Sequence, residues 1–289
     1  MSFERDVTIY NFDLDRESNI KPSAIMHYLQ QLALSDCDNV GMTYEKMRDA
    51  GQVFVLTKSL LELYRPFHLY DNIHCITWPK CTRGCTFERH FLLERNGEKL
   101  AACSTQWVLI DYVKRRILRP SQLIGRLEDR PDLDCGVPSP GKFSFDLPLT
   151  QVDSRTVYYS MIDENRHLNN CFYSDIALDY TDNKAIKSIQ INYLEEAYEG
   201  DRLDIYKAVL PSSCHLDGSP SCADTAHPVS GSDSVPSPVN ETQPSMSASS
   251  SQDKETPSAS DRDNPGATFI RGVDATLNRT CFEAYIVHS

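Results

Sequence analysis

The sequence has no apolar run near the roughly 20 residues that an α-helix needs to cross a bilayer, and its hydrophobic fraction is 40%. Its amino terminus, residues 1–6, lacks the basic region followed by an apolar stretch that marks a secretory signal peptide. These two absences predict a protein with no membrane span and a cytoplasmic location.

Positive charge is also scarce. The chain has 29 Lys and Arg against 41 Asp and Glu, a formal net charge of -12. Nucleic-acid binding normally needs a basic stripe, so this balance argues against a nucleic-acid partner. The basic residues do form one short cluster, made of Lys114, Arg115, Arg116 and Arg119. This cluster could dock an acidic protein partner, or it could be a solvated turn after a strand.

A zinc-ligand pattern is missing as well. Cys81 and Cys85 lie close together among ten cysteines, but no second Cys pair or His pair accompanies them at zinc-ligand spacing. We therefore predict neither a metal nor a cofactor, and a reducing compartment would keep the cysteines as thiols. With 289 residues the chain can bury a core without a disulfide. Cys171 is a weak candidate nucleophile, because it falls inside a predicted helix.

What the sequence does contain is a regular order of helix and strand patterns. Pro22 and Ser23 open a helix, and apolar residues follow at a spacing that gives one buried face: Ile25, Met26, Leu29, Leu32 and Ala33. A short strand precedes it at residues 7–12, and a shorter helix follows at 44–50. Four strands are then predicted at 53–64, 72–78, 87–94 and 100–112, with Asn96–Gly97 as a hairpin turn between the last two. One helix lying on a run of antiparallel strands is an α+β arrangement.

The pattern then repeats. Tyr10 and Asp15 stand five residues apart in the first half, as do Tyr158 and Asp163 in the second. Residues 59–64 likewise match residues 188–193, an alignment that places Phe67 opposite Glu196. Further matches at equal spacing join Ile20 to Leu168, Asp71 to Asp201, and Phe87, Arg89 and Asn96 to Phe269, Arg271 and Asn278. Self-similarity of this length predicts two copies of one fold.

The repeat predicts a domain division. We expect one domain at 1–125, a connection rich in Pro, Asp and Gly at 126–150, and a second domain at 151–289. Residues 211–267 interrupt the second domain and are dominated by Ser, Pro, Asp and Thr. This composition predicts a disordered insertion, because it offers too little apolar surface to bury.

Only the second copy carries a set of polar residues with catalytic potential. Asp163, Asn165 and His167 occupy alternate positions, and in an extended backbone alternate side chains point to one face. The first copy has Glu17 and Asn19 at the last two positions. The alternative is a polar loop with a helix N-cap at Asn169, and the difference between the copies favours a functional role.

Together with the repeat, Asp163-x-Asn165-x-His167 followed by Leu168-Asn169-Asn170 resembles the acyl-ACP thioesterases of plants and bacteria. The resemblance covers the chain outside the insertion. It implies two tandem hot-dog domains, each with a central helix against an antiparallel β-sheet. It also implies hydrolysis of the thioester of fatty acyl-ACP to free fatty acid and ACP.

The same resemblance implies a catalytic Glu at the end of the strand after the helix. The segment 192–197 is similar to that part of the family, with Glu196 at the Glu position and Ala197 where the family has a Cys. Glu195 is the alternative, since strand register decides which neighbour faces inward. The resemblance further implies that the first domain holds the acyl chain. Candidate tunnel residues, which could equally be ordinary core, are Met26, Leu29, Val53, Val55 and Trp107.

The residue types suit the reaction. Thioester hydrolysis needs an activated water and stabilisation of the oxyanion. Backbone N–H groups at the start of the helix after Asn169 could bind the oxyanion. Asn165 could donate to the carbonyl or hold the water, and His167 can exchange a proton near neutral pH. Either Glu196 or Asp163 could serve as base or orient the imidazole.

Two other functions fit the same pattern. The substrate could be acyl-CoA instead of acyl-ACP, or the protein could bind acyl chains without catalysis. A homodimer is possible, although the tandem repeat already supplies the partner that a single hot-dog domain obtains by dimerising.

Overall fold

The computed structural model describes residues 2–143, 148–210 and 266–289. The predicted insertion at 211–267 lies outside these ranges except for Gly266 and Ala267, and Ala267 is the first residue of a strand. Within the described ranges, no helix combines the length and the apolar character that a membrane crossing requires.

The two halves of the chain repeat one order of elements. The first half contains β1 Phe3–Thr8, α1 Pro22–Asn39, α2 Tyr44–Asp49, β2 Gln52–Leu63, β3 Asn72–Arg83, β4 Thr86–Arg95, β5 Glu98–Asp111 and β6 Arg116–Ile117. The second half contains β7 Thr150–Thr156, α3 Asn170–Leu178, β8 Ile186–Tyr193, β9 Arg202–Leu210, β10 Ala267–Asp274 and β11 Arg279–His288. The α+β class predicted from the sequence is confirmed.

Local sequence explains several of these elements. Pro22 starts α1, where its fixed φ suits the first helical position and its missing N–H is not needed. Asn96 and Gly97 have φ of 53° and 79°, as the predicted two-residue hairpin between β4 and β5 requires. The strand predicted at 7–12 ends early, at Thr8. It ends there because the Asp13 carboxylate accepts the Tyr10 N–H at 2.8 Å and holds the chain in a turn.

All the strands belong to one antiparallel sheet. Its order is β1-β3-β4-β5-β2-β8-β11-β10-β9-β7, and β6 pairs with β5. The two halves therefore join where β2 pairs with β8. At this junction Leu60 lies opposite Gln190, and these two residues have the same separation in sequence as Asp71 and Asp201. A residue that pairs with its own counterpart marks a local two-fold axis, so the halves are related as the subunits of a dimer would be.

The structure shifts the predicted repeat by one residue at this junction. β2 ends at Leu63 and β8 ends at Tyr193, so the counterpart of Tyr193 is Leu63 and the predicted pairing of 59–64 with 188–193 is wrong. Leu63 and Tyr193 have the same separation in sequence as Asp71 and Asp201, so the two halves keep one offset from these strand ends onward. Pro66, and not Phe67, therefore stands opposite Glu196.

Both halves contribute to one hydrophobic core. Helices α1 and α3 pack against each other on the same face of the sheet. Buried residues from both halves meet there, among them Leu29, Leu61, Phe91, Ile176, Ile189 and Phe282. Because the core is shared, residues of each half pack against residues of the other.

The connection between the halves crosses the opposite face of the first-half sheet. Cys135 and Val137 are buried there against Trp78. Beneath the connection, Nε2 of His90 lies 3.0 Å from Oε1 of Glu88, and both residues are buried. An ion pair thus supports the path of the connection.

Candidate active site

The loop before α3 carries three of the predicted catalytic residues. It is a tight turn with Arg166 at φ 68°, and not the extended strand that the alternation assumed. Oδ1 of Asp163 accepts the backbone N–H of Asn165 at 2.9 Å and that of His167 at 3.4 Å. The loop therefore closes on the Asp163 carboxylate.

The first half contains the same loop without the site. Oδ1 of Asp15 accepts the N–H groups of Glu17 and Asn19 at 2.9 Å and 2.8 Å, and Ser18 has φ 64°. Since Asp15 shapes its loop in the same way, the contacts of Asp163 need no catalytic explanation. These contacts give Asp163 a role in closing the loop, and its predicted role in catalysis stays a prediction.

The side chains of His167 and Glu196 contact each other in the second half. Nε2 of His167 lies 3.3 Å from Oε2 of Glu196, and their side chains are 23% and 33% exposed. The imidazole meets the ring of Tyr198 edge-on, with centroids 5.0 Å apart. The Tyr198 hydroxyl donates to Oε2 of Glu196 at 2.7 Å. Glu195 is exposed, so Glu196 is the carboxylate that faces the histidine.

A residue from the first half completes this group. Arg115, which the sequence placed in the basic cluster, reaches Glu196 with Nη1, at 3.1 Å from Oε1 and 2.9 Å from Oε2. Its Nη2 donates to the Tyr198 hydroxyl at 3.1 Å. Burial and the hydrogen bond to Glu196 raise the pKa of the Tyr198 phenol, which therefore remains a donor at neutral pH. Sequence reasoning did not identify Tyr198, and gave no sign that Arg115 contacts Glu196.

The first turn of α3 presents a backbone donor beside the loop. Asn169 caps the helix, and its side chain accepts the N–H of Cys171 at 3.0 Å. The N–H of Asn170 has no acceptor among the residues that the structure describes. Its counterpart at the start of α1 is Pro22, which has no N–H at all. At the first position of the helix, the second half therefore offers a free donor where the first half has none.

A small apolar cavity leads from the start of α3 into the first half. Its lining residues are Met26, Leu29, Gln30, Leu56, Phe91, Thr105, Trp107, Asn170 and Cys171.

Three of the five predicted tunnel residues, Met26, Leu29 and Trp107, line this cavity. Val53 and Val55 do not. Val55 is adjacent to Leu56, which does line the cavity, and Val53 is three positions from it; residues an odd number of positions apart in a strand face opposite sides.

Cys171 lines the cavity, but its surroundings do not favour a nucleophilic thiolate. It is buried, and burial raises the pKa of its thiol to about 12. The Sγ donates to Oε1 of Gln30 at 3.4 Å. At neutral pH Cys171 is a protonated thiol with a structural contact.

The other members of the basic cluster face solvent. Nζ of Lys114 and Nε of Arg116 lie 3.8 Å and 3.9 Å from Oδ2 of Asp111, and Arg119 is exposed as well. Together with Arg115, which contacts Glu196 and whose own side chain is 57% exposed, these residues form a positive surface beside the site.

Comparison with known families agrees with this geometry. Residues 1–122 match the acyl-ACP thioesterase N-terminal domain, and residues 150–240 match the acyl-ACP thioesterase C-terminal domain. No curated protein matches the sequence at a significant level.

Solved structures of low identity share the whole fold. An acyl-ACP thioesterase from Bacteroides thetaiotaomicron covers 100% of this chain and 98% of its own, with a TM-score of 0.69 at 15% identity. The 12:0-ACP thioesterase from Umbellularia californica covers 100% and 94%, with a TM-score of 0.67 at 15% identity. A putative oleoyl thioesterase from Lactobacillus plantarum covers 99% and 95%, with a TM-score of 0.70 at 15% identity.

Proposed function

Because the chain belongs to the acyl-ACP thioesterase family, whose reaction is hydrolysis of the fatty acyl-ACP thioester, we propose that His167 and Glu196 carry that reaction here. The observation that supports this assignment is their contact at 3.3 Å in the second half. The first half has Asn19 and Pro66 at the same two places, in the same loop and strand end.

Glu196 orients the histidine in this proposal. Its oxygens already accept from Arg115 and Tyr198, so the carboxylate has little capacity left to take a proton from water. A proton on Nε2 of His167 would face the carboxylate, which leaves Nδ1 to accept the proton of the attacking water. The resulting imidazolium then protonates the departing thiolate.

Two further groups stabilise the reacting carbonyl. The free N–H of Asn170 stands where an oxyanion would gain from both the donor and the helix dipole. The Asn165 carboxamide, exposed on the same loop, donates to the carbonyl or holds the water. Asp163 serves the site by closing the loop that carries Asn165 and His167.

In this proposal the acyl chain enters through the cavity between the halves, which is too small to hold the chain as it stands and has to widen when the chain binds. Asn170 lines one end of it, and Leu29 and Trp107 extend it into the first half. This arrangement supports a division of labour between a chain-binding domain at 1–125 and a catalytic domain at 151–289, joined by 126–150. We assign the docking of the acidic carrier protein to Lys114, Arg116 and Arg119, since they belong to the positive surface beside the site.

Glu196→Gln tests the proposal directly. The amide keeps the shape but loses the charge that orients the imidazole, so kcat should fall by about 10²-fold or more. The assay is thiol release from acyl-ACP substrates of graded chain length. Glu195→Gln is the matched control, because it removes the same charge from the exposed neighbour. Equal rates for Glu196→Gln and the wild type would contradict the proposal.

The same assay separates the alternative functions. Acyl-CoA turned over as well as acyl-ACP at matched chain length would favour the CoA hydrolase, and binding without thiol release would favour the acyl-binding protein. The cytoplasmic location and the possible homodimer stay predictions from the sequence.

A further inference from the structure

We propose that Arg115 is a positioning residue, supplied by the first half, that holds the Glu196 carboxylate toward His167. The inference rests on the proposed roles of His167 and Glu196. Arg115 donates to both oxygens of Glu196 and to the Tyr198 hydroxyl, and Tyr198 donates to Oε2 of Glu196. The three side chains form a closed ring of hydrogen bonds, so Glu196 is held from two sides.

The turn that presents Arg115 is built at a conformational cost. Oδ1 of Asp111 accepts the N–H groups of Val113 and Lys114 at 3.2 Å and 2.9 Å, which fixes the hairpin between β5 and β6. Arg115 then lies in the left-handed region with φ 52°, where glycine or asparagine would be less strained. A long side chain held in such a conformation is reason to look for a function.

The contact joins two parts of the chain that are 81 residues apart. It leads from the exposed turn after β5 to the segment after β8, across the junction of the halves. Lys114 and Arg116 flank Arg115 in the same turn but lie near Asp111 instead. All three side chains are exposed, and of the three it is Arg115 that contacts Glu196.

The charged and hydrogen-bonding groups around His167 determine how the pH dependence of activity should change when Arg115 is replaced. Glu196 and Tyr198 face it from the segment after β8, Asp163 binds its backbone from its own loop, and Arg115 stands behind Glu196. With Arg115 present, the carboxylate shares its charge with a guanidinium. Without Arg115, the unpaired carboxylate would stabilise the protonated imidazole more strongly. A protonated His167 cannot act as the base, so activity would then be lost at a higher pH.

The test is the pH dependence of kcat for Arg115→Gln with an acyl-pantetheine thioester, which carries no protein to dock. We expect kcat to fall on the order of tenfold, since the imidazole itself remains. We expect the acid limb of the profile to move to higher pH. Arg115→Lys, which restores the charge without the two-nitrogen fork, should return the limb toward the wild-type position and recover only part of kcat.

Arg116→Gln is the charge-matched comparison. It removes one cation from the same turn, so we expect a higher KM for acyl-ACP and an acid limb in the wild-type position. An unmoved limb and unchanged kcat in Arg115→Gln would overturn the inference. A limb that moves equally in both variants would also overturn it, because the cause would then be the charge of the turn. If the wild type fails to release thiol from acyl-ACP, the proposed function itself is refuted, so the two failures are distinguishable.

Discussion

Replacing Asn170 by proline removes one hydrogen-bond donor from the site and should leave the fold intact. The first half contains this substitution naturally, because Pro22 stands at the same position of α1. The residue before a proline must avoid the helical region. Asn169 already does so, with φ -58° and ψ 132°, close to the -71° and 131° of Lys21 before Pro22.

The size of the effect follows from what is lost. The Asn170 N–H has no acceptor among the described residues, so its removal breaks no native hydrogen bond. Loss of one oxyanion donor costs about 10² to 10³ in kcat, or roughly 2.7 to 4 kcal/mol of transition-state stabilisation. Proline at a compatible position stabilises the fold by about 0.4 to 1 kcal/mol through the unfolded state. We therefore expect a stable protein with a large loss of kcat.

The assay is steady-state thiol release from acyl-ACP, together with the free energy of unfolding in urea. Asn170→Ala is the control, since it removes the same side chain and keeps the N–H. The account predicts that Asn170→Ala retains most of kcat and that Asn170→Pro does not. If the two variants have the same kcat and both are folded, the Asn170 amide is not an oxyanion donor.

Further predictions concern loop closure and the pH dependence of stability. Asp15→Ala and Asp163→Ala each free two backbone N–H groups, so each should cost about 1 to 2 kcal/mol of unfolding free energy, and only Asp163→Ala should lower kcat. Equal kcat values would exclude a link between this loop and the reaction. Burial opposes the charged forms of Glu88 and His90, but hydrogen bonding outweighs it, with a pKa of about 2 for Glu88 and about 9 for His90. The contribution of His90 to stability should be complete below pH 6.5 and should be lost as the pH rises through 9. The contribution of Glu88 should be complete above pH 4.5 and should be lost as the pH falls toward 2. The wild type should have a higher free energy of unfolding than Glu88→Gln between about pH 2 and pH 9, and the difference should shrink toward both ends. A difference that does not change with pH would contradict an ion pair between Glu88 and His90.

Local signals in the sequence were enough for the scaffold. Pro22 and the apolar spacing after it located α1, and Asn96–Gly97 located a hairpin, because helix starts and tight turns depend on a few adjacent residues. The internal repeat identified the second copy and, by contrast with the first, the residues Asn165 and His167, whereas Glu196 was indicated by the family resemblance. The repeat also shows that Asp15 makes the same loop contacts as Asp163, so these contacts need no catalytic explanation.

Long-range contacts and backbone irregularities were not predictable in the same way. Nothing near Arg115 in the sequence signals a partner at Glu196, since the pairing of β2 with β8 brings them together. The turn at Arg166 has a positive φ without a glycine to announce it. The bulge after Leu56 changes which face of the sheet the side chains of β2 point to, so Leu56, and not Val53 or Val55, lines the cavity.

Thiol release from acyl-ACP by His167→Ala and by Asn19→Ala is the most direct test of the central claim. The two residues occupy equivalent loops, so they share the scaffold and differ in the proposed chemistry. The account predicts that His167→Ala loses about 10²-fold or more of kcat, while Asn19→Ala stays close to the wild type and both proteins remain folded. A His167→Ala variant that releases thiol at the wild-type rate would contradict it.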